Sequence, residues 1–370
     1  MNAPLSAGAI GISVNLARGM VCAVAVTSQR PQSPSRLFDG RAPDEAARLA
    51  SQIFSLCGFS QSIAARLAVA RAGARVLAEE DRVAAASGLL AERIFETLRS
   101  LAMQWPGKLS PAVQAAAGAH LRTALKASRA IVAEAVAGAV KWETMAEPAN
   151  ALAKACAGIG LGDDAENPTR GSLVDGILRD IERDEVFVAR STEALEPEDD
   201  GEVASRLCQN EAYAALPFLP DRILETGACA RHPAARTGIR TRVLAQRVHA
   251  RMRDLAVAIA DLQALSAGRD IAVDRLMNDG TVADSGFGAV ECARGRLYHS
   301  ARITEDGRLQ NYRILAPTEW NFHPAGPFVE MLLSAKIGSE ETARLRVAKL
   351  AALFDPCVAF DITLKEIGHA

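Results

Sequence analysis

The sequence predicts an α+β fold, predominantly α. Three observations carry this. From Pro43 to about Ala157 the apolar residues recur at helical spacing, broken only by short Gly- and Pro-containing stretches. Two short apolar, partly β-branched runs precede that body, and three strand-like runs follow it between Gly286 and Ala316. The order is a hairpin, a helical body, a late β segment, then helix and terminus.

Ala9 to Val14 and Met20 to Thr27 read as a β-hairpin turning at Ala17-Arg18-Gly19, followed by a Pro/Ser/Gly loop over 29–41. Helices are expected over Asp44–Leu56, Gln61–Leu77 and Asp81–Met103, the last ended by Trp105-Pro106-Gly107. Ser110 is a natural N-cap for a fourth helix reaching about Val140, and Lys141–Cys156 reads as a fifth. Such spacing suits an antiparallel bundle. Gly158–Gly171 reads as a loop, and Ser172 caps a short helix to about Glu182. Glu185–Arg190 has strand character and Ser205–Ala215 helical character. Gly238–Ala267 is the clearest amphipathic helix, with Leu244, Val248, Met252, Leu255 and Ile259 on one face. Gly286–Cys292, Arg296–Thr304 and Arg308–Ala316 read as strands, with Glu305-Asp306-Gly307 turning the second into the third. Helices over Pro327–Ser334 and Ser339–Phe354 then lead to Asp355-Pro356-Cys357. Residues 1–42 form a hairpin and loop, expected to pack as one compact unit with the body over 43–370.

Apolar residues make up 49% of the 370 and charged residues 23%, enough for a sizeable core. Aromatics are only 5%, so the helices must pack through Ala, Leu and Val. A formal net charge of −2 with mixed signs argues against a nucleic-acid partner. The acidic run Glu196–Glu202 reads as a solvated linker. Seven cysteines (22, 57, 156, 208, 229, 292 and 357) are scattered, odd in number and without zinc spacing, so a reducing cytoplasm is expected rather than a disulfide framework. No run is long and apolar enough for a membrane span, and no basic region precedes the first apolar stretch as in a signal peptide.

Three stretches carry the chemistry: Leu56-Cys57-Gly58-Phe59-Ser60 ahead of a helix, VECARGRLYHSARITEDGRLQNYRILAPTEWN from Val290 to Asn321, and Asp355-Pro356-Cys357. Taken alone, a single Cys is more often a small buried side chain than a ligand. Together and in this order the stretches resemble the large subunit of nickel–iron hydrogenases. That family carries RICGVC near its start, a stretch like APRGxLxHW…GxIxNYQxVVPTTWN, and DPCxxCxxH at its end. The resemblance covers most of the chain in outline and is strongest over 290–321.

The departures shape what the resemblance implies. In the family, four cysteines hold nickel, and the second of each pair bridges to an iron carrying cyanide and carbon monoxide. Cys57 and Cys357 match the terminal nickel ligands, while Ser60 and Phe360 stand at the bridging positions. A hydroxyl is a poor substitute for a soft thiolate, and Phe cannot coordinate. Nickel is therefore not expected. The family's RIEGH stretch is absent, Thr363 stands where its final motif has His, and the chain is much shorter than typical catalytic subunits. What remains matches the cradle of the iron fragment: Arg294 at the Arg of APRG, and Pro317 and Thr318 at VPTT, where donors can face cyanide. This pattern resembles the HupK/HoxV family of hydrogenase expression/formation proteins, paralogues of the large subunit. The resemblance implies a non-catalytic scaffold that holds an Fe(CN)2(CO) unit transiently. Its implied partners are the hydrogenase large subunit precursor and the iron-delivering maturation chaperones.

Other residues keep two readings. Cys292 is a buried filler or a third thiol; period-2 alternation would put it on one strand face with Arg294. Cys229 and His232 look like a metal pair, but His232-Pro233 reads as a loop with a solvated His; Arg231 matches the Arg of a VGPLAR-like family segment. His299 is expected to pack behind the site, and Trp320-Asn321 to serve packing and a turn cap. Two further functions stay open: a cofactor-free interaction module for hydrogenase assembly, and a divergent active or hydrogen-sensing subunit. No residue set for acid–base turnover is visible, so no catalytic residue is assigned.

Overall fold

The computed structural model describes residues 8–28, 34–138, 142–162, 165–232 and 242–367. Its N-terminal hairpin is β1 (Ala9–Ala17) and β2 (Met20–Ser28). The turn residues Arg18 and Gly19 both have positive φ, 53° and 75°, as two-residue hairpin turns require. Ile10, Ile12, Val14 and Leu16 alternate into the core.

The helices follow as α1 (Ala46–Ile53), α2 (Gly58–Ala72), α3 (Glu79–Met103), α4 (Pro111–Ala137), α5 (Trp142–Ile159) and α6 (Leu173–Ile181). Ser110 and Ser172 cap α4 and α6, each accepting a backbone N–H at 3.3 Å. Helix α7 (Asp200–Gln209) comes next, flanked by a two-residue parallel ladder of β3 (Glu193–Ala194) and β4 (Leu224–Glu225). Short α8 (Ala228–Arg231) precedes α9 (Val243–Ser266), which packs against α3 and α5. The apolar face of α9 is buried as expected, but so are Arg247, Arg251 and Asp254 behind it. Residues 238–241 of the expected helix lie outside the described residues.

After α10 (Val273–Leu276), β5 (Met277–Val282), β6 (Ser285–Cys292), β7 (Gly295–Ile303) and β8 (Leu309–Leu315) form an antiparallel meander in that order. The sequence reading missed β5, whose Asn278-Asp279-Gly280 looks like a turn. Its polar side chains are satisfied across the fold: Asn278 donates to Asp200 at 2.8 Å, and Asp279 pairs with Arg71 and Arg82. The chain closes with α11 (Pro317–Asn321), α12 (Pro327–Leu332), α13 (Glu340–Phe354) and β9 (Ala359–Glu366). Strand β9 was also not expected. It adds in parallel to β1, giving the order β2-β1-β9, so the two ends of the chain share one sheet.

Helix α2 lies directly on β6, and two glycines make that possible. A Cβ at Gly288 would come within 2.4 Å of the Ala64 carbonyl, and one at Gly286 within 2.1 Å of the Ala72 nitrogen. The contacts run antiparallel, Gly286 opposite the end of α2 and Gly288 opposite its middle. The start of α2 is thereby carried toward the end of β6, which brings Cys57 toward Cys292.

Two expectations fail here. Glu185–Arg190 is not a strand; Glu185 instead caps α9, accepting the Leu244 and Ala245 N–H groups at 3.0 and 2.7 Å. The acidic run 196–202 is not a solvated linker. It forms a 3-10 turn and opens α7, and Asp200 is fully buried. Its carboxylate accepts from Arg296 Nε at 2.6 Å and from the Tyr298 hydroxyl at 2.9 Å. A buried partner for Arg296, supplied 96 residues away, explains why an acidic residue leaves water.

Candidate metal-cargo site

Cys57 is the N-cap of α2, and its sulfur is buried. The first turn of that helix is held from α3. Glu92 accepts the backbone N–H groups of Phe59 and Ser60 at 2.8 and 2.9 Å, and the Ser60 hydroxyl at 2.5 Å. A carboxylate at a helix N-terminus satisfies otherwise unpaired N–H groups and the helix dipole. Burial nevertheless raises the Glu92 carboxyl above its usual range, opposed by those hydrogen bonds. Ser60 is thus engaged with Glu92.

Cys357 is positioned by the end of α13. Asp355 takes a left-handed conformation (φ 52°), Pro356 prevents continuation, and β9 starts at Ala359. Arg251 Nη2 donates to the carbonyls of Ala352 and Leu353 at 3.1 and 3.0 Å, fastening the last turn of α13. Thr318 Oγ1 lies 3.2 Å from Cys357 Sγ and accepts the Cys357 N–H at 3.4 Å. Pro317 is the buried first residue of α11. With no N–H of its own, it sets the helix start that presents Thr318. Phe360 lies on β9, opposite Ile10, and packs against the main core.

Arg294 occupies the tight turn between β6 and β7. This corrects the strand-face expectation: Cys292 pairs with Gly295 across the ladder, and Arg294 lies beyond it. The Arg294 side chain is 2% exposed; Nη2 donates to Glu96 at 3.2 Å and Nε lies 3.4 Å from Asp355 Oδ2. Burial opposes its charge, but Asp355 and Glu96 hold the guanidinium firmly protonated. Neither Nε nor Nη1 has a hydrogen-bond partner among the described residues. Burial also raises Glu96, with Arg294 and Arg99 pulling the other way.

The three sequence stretches therefore meet. Cys292 and Cys357 lie close enough to Cys57 to oppose ionisation of its thiol, and Arg294 stands near both terminal cysteines. Burial, then Cys292 and Cys357, push the Cys57 thiol well above its usual value. Cys292 is pushed up to about 12 by burial, and its thiol donates to the Gly295 carbonyl at 3.1 Å. Among the described residues no group of three or more His, Cys, Asp or Glu is arranged to hold a metal ion. The arrangement offers two thiols on separate elements, a nearby hydroxyl and a buried cation with unused donors. Soft thiolates suit iron, and the cation and hydroxyl suit a small anionic ligand on it.

Over 368 residues the chain is 49% identical to the hydrogenase expression/formation protein HupK of Rhizobium leguminosarum bv. viciae, covering 99% of each chain. The chain belongs to the HupK family of hydrogenase expression/formation proteins. It is 27% identical to the HoxV protein of Cupriavidus necator, over 92% of this chain and 93% of that one. Residues 210–362 match the family model described as nickel-dependent hydrogenase. The Ni-Fe-Se hydrogenase of D. vulgaris Hildenborough superposes with a TM-score of 0.64 at 15% identity, covering 92% of this chain and 94% of that one, a likeness of fold alone. The fold is that of the hydrogenase large subunit.

Within this HupK-family chain, other sequence candidates fall elsewhere. His232 is not solvated; Nε2 lies 3.2 Å from Asp254, which also holds Arg231 and Arg93. Cys229 lines a small cleft with Arg247, Arg251, Arg294 and Asp355. Trp320 packs edge-on to Tyr213 as expected, while Asn321 exchanges two 3.0 Å hydrogen bonds with the distant Thr226 backbone. Glu92 and Glu96 escaped the sequence reading. The signal was present, because both continue the buried α3 stripe of Ala85 and Leu89 at spacings of three and four. No helix among the described residues is long and apolar enough to cross a membrane.

Proposed function

We propose that this chain is an accessory scaffold for nickel–iron hydrogenase maturation, and that it holds an Fe(CN)2(CO) unit transiently between Cys57 and Cys357. The single observation that carries this reading is the convergence of those two thiols on Arg294, a buried cation whose Nε and Nη1 make no hydrogen bond among the described residues. Buried donors are rarely left unused, and cyanide on iron is the kind of acceptor they suit. Thr318 would donate from the Cys357 side, with Pro317 setting its position. Binding requires both thiols to lose their protons, so the Arg294 charge also offsets the anion that forms. Cys292, already bonded to a carbonyl, is a reserve third thiol.

Release is built into the same arrangement. With Ser60 tied to Glu92 and Phe360 packed against the core, neither bridging position supplies a thiolate for a second metal. The unit is cargo, nickel is not expected, and the chain is an accessory protein rather than a catalyst. Its partners in this reading are the large subunit precursor and the iron-delivering chaperones, in the cytoplasm.

The test is an infrared spectrum of protein purified without oxygen from a host expressing the maturation machinery. Cyanide and carbonyl bands in the wild type, lost in Cys57→Ala and Cys357→Ala, are expected. Their absence from the wild type, with iron absent, would favour the second reading, a cofactor-free interaction module. One observation leans that way: the Cys57 thiol is held well above its usual value, so the protein without cargo carries it protonated.

A further inference from the structure

We infer that Gln61, His299 and Tyr312 are positioning residues, forming a buried donor chain that ends on Cys57 Sγ and weakens its hold on bound iron. This rests on the cargo reading above and adds residues to it. Gln61 Nε2 donates to Cys57 Sγ at 3.6 Å. Gln61 Oε1 lies 2.6 Å from His299 Nε2, and His299 Nδ1 lies 2.7 Å from the Tyr312 hydroxyl. Gln61, His299 and Tyr312 are 3%, 0% and 0% exposed, so water does not intervene.

The direction of the chain follows from valence. Gln61 Oε1 can only accept, so His299 Nε2 carries the proton. Nδ1 is then the acceptor, and Tyr312 donates to it. Burial lowers His299 to about 3, so the ring stays neutral with one N–H to give. The reverse polarity would aim Gln61 Oε1 at the sulfur, which has no proton to offer once it binds iron. Only the observed direction suits a thiolate. Each link polarises the next, so the Gln61 amide is a stronger donor than it would be in water. A hydrogen bond to a thiolate draws charge from sulfur that would otherwise reach the metal. The Cys57–iron bond becomes weaker, which favours hand-over. The geometry also explains why His299 is buried without touching a sulfur: it acts through Gln61.

The test compares infrared bands of the loaded wild type with those of Gln61→Leu and Tyr312→Phe. Losing the donor returns charge to iron, strengthens back-donation and moves the carbonyl band to lower frequency. Gln61→Leu should give the larger shift, with slower transfer of iron to the large subunit precursor, and Tyr312→Phe a smaller shift in the same direction. Tyr312→Phe keeps the ring that stacks on Phe38, so its fold should survive if Gln61→Leu does not. A purely structural role would leave band positions unmoved in every variant that folds. Bands present in the wild type but unshifted in the variants overturn this inference and leave the cargo reading standing. No bands in the wild type remove that reading and this inference with it.

Discussion

Arg294 and Arg296 are two residues apart, and both are buried. Their surroundings differ. Arg296 is closed: Asp200 takes its fork, Glu291 lies 3.6 Å away, and its backbone N–H goes to Thr226 at 2.8 Å. Arg294 is open: Nη2 donates to Glu96, Nε only faces Asp355 across an ion pair, and among the described residues neither Nε nor Nη1 makes a hydrogen bond. The closed arginine fastens α7 to the central sheet. The open one stands beside the thiols. A satisfied buried charge reads as structure, and an unsatisfied one beside soft ligands reads as a place for something else.

The largest expected effect breaks the open side. The double variant Cys57→Ala, Cys357→Ala should lose all cyanide and carbonyl bands and all support for hydrogenase maturation, measured by infrared spectroscopy and by hydrogenase activity of the host. Retained maturation would make both thiols dispensable. Next comes the closed side. Asp200→Ala strands Arg296 in the interior and should cost about 3–5 kcal/mol in urea unfolding. Bands should persist in the protein that remains folded.

Arg294→Met should reverse that pattern, which sharpens the contrast. Glu96 keeps Arg99 at 3.0 Å and tolerates a proton, and Asp355 keeps the charge of nearby Arg251, so the expected stability cost is only about 1–3 kcal/mol, while the bands are lost. Equal stability losses at Arg294 and Asp200, with bands intact in both, would erase the distinction. The effect with the least bearing on cargo is a pH slope. His299 is depressed from 6.5 to about 3 by burial, so its folded state resists a proton that the unfolded chain accepts. Stability should be full above pH 6.5 and fall toward pH 3, by at most about 1.4 kcal/mol per pH unit from this group. His299→Phe should flatten that part of the curve in unfolding measured across pH.

Much of the site was legible because its residues sit in short fixed motifs. The positions of Cys57, Arg294, Thr318 and Cys357 were visible as residue types at particular places, and the fold brings them together. What was not legible is what each one touches. The strand-face pairing of Cys292 with Arg294 failed because a two-residue turn intervenes, and a turn resets the period-2 alternation. Asp200 was read as solvent-facing because its neighbours in sequence are acidic. Its partner lies in a strand 96 residues on, and no local pattern reports that.

The sequence by itself determined the helical body, the N-terminal hairpin, the late strands and the family to which they belong. Local periodicity, capping residues and motif wording are properties of adjacent residues, so they survive without the fold. The tertiary structure alone decided the parallel pairing of β9 with β1, the seating of α2 on Gly286 and Gly288, and the isolation of Arg294 from a full set of partners. Those depend on contacts between distant segments, and whether a buried donor is satisfied is known only once every other segment has taken its place.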